Sequence, residues 1–199
     1  MSDRNETPFF QLLEKSAYDI SLKSLDGSED IMAKNKGKVT MIVNVTGECA
    51  NSAQYIPIQK LHDEYKDLGF EVIAVPSTDF CDDAYGEFKD SNASPEHMYE
   101  HMKKLYKTDL PFSELTGIAP EPKAGIEQHE FYKMIQHNQD PIQGNFEKII
   151  ISRDGTKMIR FCNSDLLDLA FNAGERKTSS EQALANIKKA IEILLDEQV

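Results

Sequence analysis

Two kinds of apolar pattern alternate along the chain. Residues 39–45 (VTMIVNV) form a short continuous run rich in β-branched side chains, the pattern of a strand buried on both faces. In residues 52–68 the pattern changes: Tyr55, Ile58, Leu61, Tyr65 and Leu68 recur three or four positions apart, one apolar stripe on a helix, and Gly69 stands at the C-cap. Pro57 is tolerated only in a first turn, so this helix begins not much before Ala53. Residues 70–75 (FEVIAV) are a second buried strand, stopped by Pro76. The stretch 39–75 is thus a strand, helix, strand unit with parallel strands and a right-handed crossover.

Upstream, residues 17–23 (AYDISLK) alternate, and Asp26-Gly27 follows as a turn of the kind that joins hairpin strands, giving an N-terminal β-hairpin. Downstream, a helix is expected at about 95–107, capped by Ser94 or Asn92, then an extended LPFSEL at 110–115. NFEKIIIS and TKMIRFC flank Arg153-Asp154-Gly155, a strong hairpin signal. In residues 180–196, Ala183, Ile187, Ala190, Ile191 and Leu194 line up on a closing amphipathic helix. Irregular connections are expected at 117–125, where Pro and Gly concentrate, and at 82–95. The sum is an α/β domain with a mixed sheet, parallel in its first half and antiparallel at the final hairpin.

Composition narrows the function. The 199 residues suit one domain. With 22 Lys and Arg against 34 Asp and Glu, the net charge of −12 repels phosphate backbones and anionic headgroups, so nucleic acid and membrane surfaces are poor partners. No apolar run approaches the roughly 20 residues of a membrane span, and the N-terminal residues do not read as a signal peptide, which points to a cytoplasmic protein. His97 and His101 sit one helical turn apart, but the motif is HMYEH without a third ligand, so they are read as solvent-facing.

The three cysteines, Cys49, Cys81 and Cys162, are too few and too far apart for a disulfide scaffold or a zinc Cys-x-x-Cys site. Reactive groups of parallel sheets collect where strands lead into helix N-termini. Cys49 lies there, four residues past the first buried strand, where the helix's unpaired N–H groups favour a thiolate. Cys81 follows the second strand by six residues, on the same sheet edge. A two-residue Asp154-Gly155 turn sets Cys162 opposite Glu147, close to Asn145 at the hairpin's far end.

Read in order, the blocks SAYDISLKSLDGSE, GKVTMIVNVTGECANSAQY, LHDEYKDLGFEVIAVP, LPFSEL and GNFEKIIISRDGTKMIRF resemble the glutathione peroxidase family, thiol or selenol peroxidases on a thioredoxin-like fold. The likeness covers about residues 16–162 of one domain, with 1–15 as an N-terminal extension and 163–179 as an insertion before the last helix. It implies that Cys49 is the peroxidatic nucleophile. Asn145 matches the family's Asn, Asp79 falls at its Gln position, and Gly144 at its Trp position. The family chemistry is thiolate attack on the O–O bond, leaving a sulfenic acid that a second thiol reduces. No metal or prosthetic group is implied. The partners are a peroxide and a reducing thiol such as glutathione or thioredoxin.

The departures carry weight. Asp79 and Glu48 add negative charge that opposes a thiolate. Gln54 or Asn51 is positioned to supply a substitute amide, and Arg160 or Lys148 to line the approach of an anionic thiol. The family's resolving cysteine falls at Met102, leaving Cys81 and Cys162 as replacements. The alternative to a peroxidase in oxidative-stress defence is a weakened thioredoxin-fold homologue that senses redox state or binds a protein partner.

Overall fold

The computed structural model describes residues 8–80, 94–121, 126–170 and 179–197. Five strands, β1 (Gln11–Leu12), β2 (Val39–Val45), β3 (Phe70–Pro76), β4 (Lys148–Ile151) and β5 (Lys157–Phe161), form one sheet in the order β1-β5-β4-β2-β3. The β-branched run of β2 is buried at every residue because sheet neighbours and helices cover it on all sides. It pairs in parallel with β3, from Val39 opposite Phe70 to Val45 opposite Pro76, and antiparallel with β4. The mixed sheet expected from the pattern is therefore the observed one.

Alternate strand residues feed two cores. Met41, Val43 and Val45 face α2 (Tyr55–Tyr65), α3 (Pro95–Tyr106) and α5 (Ser179–Asp196), whose buried residues include Ile58, Leu61, Met98, Met102, Ile187 and Leu194. Ile42, Ile73 and Ile149 face α1 (Ile31–Lys34) and α4 (Glu130–Ile135). Ser94 caps α3, its hydroxyl accepting from His97 N–H.

The β4–β5 hairpin has the expected register, with Lys148 opposite Phe161 and Ile151 opposite Met158. Gly155 makes the turn possible at φ +77°. The N-terminal segment latches onto it: Ala17 N–H donates to Gly155 O at 2.9 Å, and Ser16 Oγ donates to Asp154 O at 2.7 Å.

Two local expectations are corrected. Residues 17–23 are not a sheet strand: Ala17–Asp19 is a 3-10 turn, and only one antiparallel bridge, Lys23 to Asp30, closes the Asp26-Gly27 turn. The alternation itself is real, since Tyr18, Ile20 and Leu22 are buried while Asp19, Ser21 and Lys23 are exposed. Period two reports which way side chains face, and here the backbone meets that demand without a hairpin ladder. The helical stripe also fails at its end. Lys66–Leu68 tightens into a 3-10 turn, which rotates Leu68 out to 60% exposure before Gly69 stops the helix at φ +92°.

Candidate active site

The last residues of β2 assemble a site by stitching one sheet edge to the start of the hairpin. Asn44, fully buried, donates from Nδ2 to Gly144 O at 2.9 Å, accepts from Glu147 N–H at Oδ1 at 3.0 Å, and accepts from Phe146 N–H at its carbonyl at 2.6 Å. That triple contact fixes residues 144–147 beside the chain leaving β2. Phe146 adopts φ +72°, rare for an aromatic residue, and packs edge-to-face on Tyr55 at 4.9 Å. The Tyr55 hydroxyl in turn donates to Thr46 O at 2.8 Å, so the loop carrying Cys49 is tied down from the core side.

Cys49 is a half-buried thiol at the approach to α2. Its sulfur receives Asn51 N–H at 3.3 Å and lies 3.6 Å from Ser52 Oγ, while its own N–H donates to that hydroxyl oxygen at 2.7 Å. Backbone and hydroxyl donors aimed at sulfur stabilise negative charge on it. Asn51 also reaches across: its Nδ2 donates to Asn145 O at 3.3 Å, joining the Cys49 loop to the hairpin start. Asn145 is buried, donates from Nδ2 to Phe80 O at 3.4 Å, and keeps a buried Oδ1 without a hydrogen bond among the described residues. Cys49, Asn51 and Asn145 thus come together.

Asp79 is buried and its Oδ2 accepts from Ile118 N–H at 2.6 Å and Ala119 N–H at 2.9 Å. The carboxylate is an anchor for the chain at 118–119. Asp79→Ala leaves two N–H groups without that acceptor and is expected to lower stability by about 2 kcal/mol in urea unfolding. An unchanged midpoint with an unchanged slope would refute the anchor.

Cys162 is exposed and free, just beyond β5, and Cys81 lies outside the described residues. Met102, at the position of the family's second thiol, is fully buried in the core under α3. Gln54 does not serve the sulfur: its Nε2 donates to Asn163 O at 2.6 Å, and its Oε1 accepts from Lys148 Nζ at 2.5 Å and Leu166 N–H at 3.3 Å. Lys148 is fully buried, its Nζ also donating to Cys162 O at 3.0 Å. Burial pulls its amine down to about 7. Arg160 is engaged by Glu147 and by Asp140 O. Both cations are committed to neighbouring residues of the chain, and Lys148 lines no approach to the thiol.

Three features were not legible in the sequence. His101, expected to face solvent, is only partly exposed and donates to Glu48, the residue before Cys49, as does Tyr106. Lys148 opens an apolar strand, where a solvent-facing charge is the ordinary expectation. At Gly144, an added Cβ would meet Asn163 Nδ2 at 2.6 Å, so the 163–170 segment occupies the space a side chain would take there. Among the described residues no cluster of three His, Cys, Asp or Glu is built to hold a metal, and no helix is long and apolar enough to cross a membrane.

The profile of the glutathione peroxidase family matches residues 17–136. A phospholipid hydroperoxide glutathione peroxidase from chloroplasts of Arabidopsis thaliana is 28% identical over 154 residues, covering 74% of this chain and 60% of that protein. A glutathione peroxidase of Lactococcus lactis is 28% identical over 149 residues, covering 72% of this chain and 87% of its own. The chain thus spans about three fifths of the Arabidopsis relatives it matches. In three dimensions the crystal structure of GPX1 from T. cruzi superposes with a TM-score of 0.60 at 20% identity, over 91% of this chain and 97% of that one. A thioredoxin-like superfamily protein superposes with a TM-score of 0.57 at 14% identity, over 95% and 99%. The fold is thioredoxin-like.

Proposed function

The chain belongs to the glutathione peroxidase family, and on that premise we propose that it is a thiol peroxidase in oxidative-stress defence whose attacking group is Cys49. One observation carries the assignment: a half-buried thiol at the exit of a central strand receives the Asn51 N–H at 3.3 Å, beside a buried Asn145 whose Oδ1 has no hydrogen bond among the described residues. Donors at the sulfur favour the thiolate, which is the nucleophile.

The thiolate attacks one peroxide oxygen and the O–O bond breaks. The bond's electron pair leaves on the other oxygen, which takes a proton to become water or an alcohol, and Cys49 is left as a sulfenic acid. A second thiol attacks that sulfur, expelling water and forming a disulfide; when both thiols belong to the chain, two further thiols, or one dithiol, reduce it by exchange and leave joined as a disulfide themselves. Cys162, exposed at the end of β5, and Cys81 are the thiols within the chain for the second step. Glutathione or thioredoxin is the co-substrate class. Asn145 orients the peroxide, and Asp79 contributes by anchoring residues 118–119.

A second reading, a redox sensor of reduced catalytic power, draws on Asp79, whose carboxylate is spent on two backbone N–H groups. Peptide mapping separates the two. Stoichiometric hydrogen peroxide followed by alkylation is expected to remove Cys49 from the alkylated pool first, as a sulfenic acid or a disulfide to Cys81 or Cys162. With excess thiol reductant, a peroxidase cycles and consumes peroxide beyond one equivalent. Cys49 that stays alkylatable while other thiols react would overturn both readings, and consumption that stops at one equivalent selects the sensor.

A further inference from the structure

Glu48 stands directly before Cys49, and a carboxylate free to approach a sulfur opposes its ionisation. In the fold this carboxylate is bonded by two residues of α3. His101 Nε2 donates to its Oε2 at 2.8 Å, and the Tyr106 hydroxyl donates to its Oε1 at 2.8 Å. Both donors come from the C-terminal half of α3, and the Glu48 side chain is only 13% exposed. The Tyr106 ring packs on Tyr55 at 5.4 Å, and Tyr55 is itself bonded to Thr46 O, two residues before Glu48. The clamp is therefore braced against the same core that fixes the Cys49 loop. Burial and the neighbouring carboxylate push the Tyr106 hydroxyl above its ordinary range, so it remains a donor at any physiological pH.

We propose that His101 and Tyr106 are positioning residues for Cys49: they hold the Glu48 carboxylate on α3 and off the sulfur. The proposal rests on the reading of Cys49 as the reactive thiol and says how the chain keeps an acidic neighbour next to it. The effect of both α3 residues is exerted through the position of that carboxylate.

The test uses the full chain with Cys81→Ser and Cys162→Ser, so that Cys49 is the one thiol. Its ultraviolet thiolate absorbance is followed against pH, and its oxidation by hydrogen peroxide is timed at pH 7. Adding His101→Leu with Tyr106→Phe releases the carboxylate; the thiolate midpoint is expected to rise by about half to one pH unit and the oxidation to slow about three- to tenfold. Adding Glu48→Gln to that protein restores both. A midpoint unmoved by the double substitution, or no restoration by Glu48→Gln, overturns the proposal. Should the double substitution unfold the chain, Tyr106→Phe alone, which removes a single oxygen, decides by a smaller rise of the same sign or by none. The absorbance titration needs no peroxidase activity. A parent protein no faster than free cysteine therefore contradicts the function while the titration still decides the clamp.

Discussion

Cys49→Ser is expected to abolish peroxide turnover with a thiol reductant, a loss of roughly a thousandfold or more, because a serine hydroxyl stays protonated where a thiolate forms and no other group replaces a covalent nucleophile. The surroundings outlast the substitution. Asn51 N–H and the Ser52 hydroxyl remain to bond an oxygen in place of sulfur, and the half-buried position leaves little packing to lose. The melting temperature should stay within about 3 °C of the parent. The variant therefore separates chemistry from folding. Activity within tenfold of the parent would move the reaction to another thiol.

The second large effect concerns Lys148. Its ammonium is fully buried between Gln54 Oε1 at 2.5 Å and Cys162 O at 3.0 Å, and burial draws the folded-state amine from 10.5 down to about 7. Electrostatic attraction to the carboxylates of Asp165 and Glu147 opposes that fall only in part. In the unfolded chain the lysine keeps its proton up to about 10.5. Below pH 7 both states bind the proton, and the cost of burying the charge is carried in full. Between about 7 and 10.5 the unfolded state binds more protons, so stability from this residue rises with pH and is lost again as pH falls.

Lys148→Met removes the titration and keeps most of the volume. Urea unfolding of both proteins at pH 7 and pH 10 should show the parent gaining on the variant by ~3 kcal/mol, an order-of-magnitude figure, with common alkaline effects cancelling in the difference. Parallel pH dependences would contradict the burial of this amine. The same substitution removes one tie between residues 163–170 and the start of α2, five residues from Cys49, leaving Gln54 to hold Asn163 O at 2.6 Å and Leu166 N–H at 3.3 Å.

These two residues also mark where sequence reading succeeds and where it stops. Cys49 is found from local information: a β-branched run gives the strand, a three- and four-residue stripe gives the helix, and the thiol lies between them. The hairpin register is equally local, because one Asp-Gly turn fixes every pair from Ile151 and Met158 to Lys148 and Phe161. Lys148 is different. Its partner Gln54 is 94 residues away in sequence, and nothing near either position signals the pairing. The bond from His101 to Glu48 spans 53 residues, so it waits on how α3 docks. Gly144 stands at the family's Trp position, and only the fold brings Asn163, nineteen residues on, into the space beside it. At residues 17–23 the alternation correctly sorted buried from exposed side chains, yet it carried no information on whether the backbone would be paired.

Acidity changes meaning in the same way. The net charge of −12 and the carboxylates of Glu48 and Asp79 argue against a reactive thiol when read along the chain. In the fold, Asp79 is turned onto two backbone N–H groups and Glu48 onto His101 and Tyr106. Both carboxylates are therefore engaged by donors that the fold brings to them.

The most direct measurement is the second-order rate of Cys49 thiol loss with hydrogen peroxide at pH 7, in the chain carrying Cys81→Ser and Cys162→Ser, set against free cysteine under the same conditions. The Asn51 and Ser52 donors at the sulfur call for a rate at least about a hundredfold above free cysteine, in line with what a positioned, ionised nucleophile gains. A rate equal to that of free cysteine would contradict the assignment of Cys49 as a peroxidatic residue.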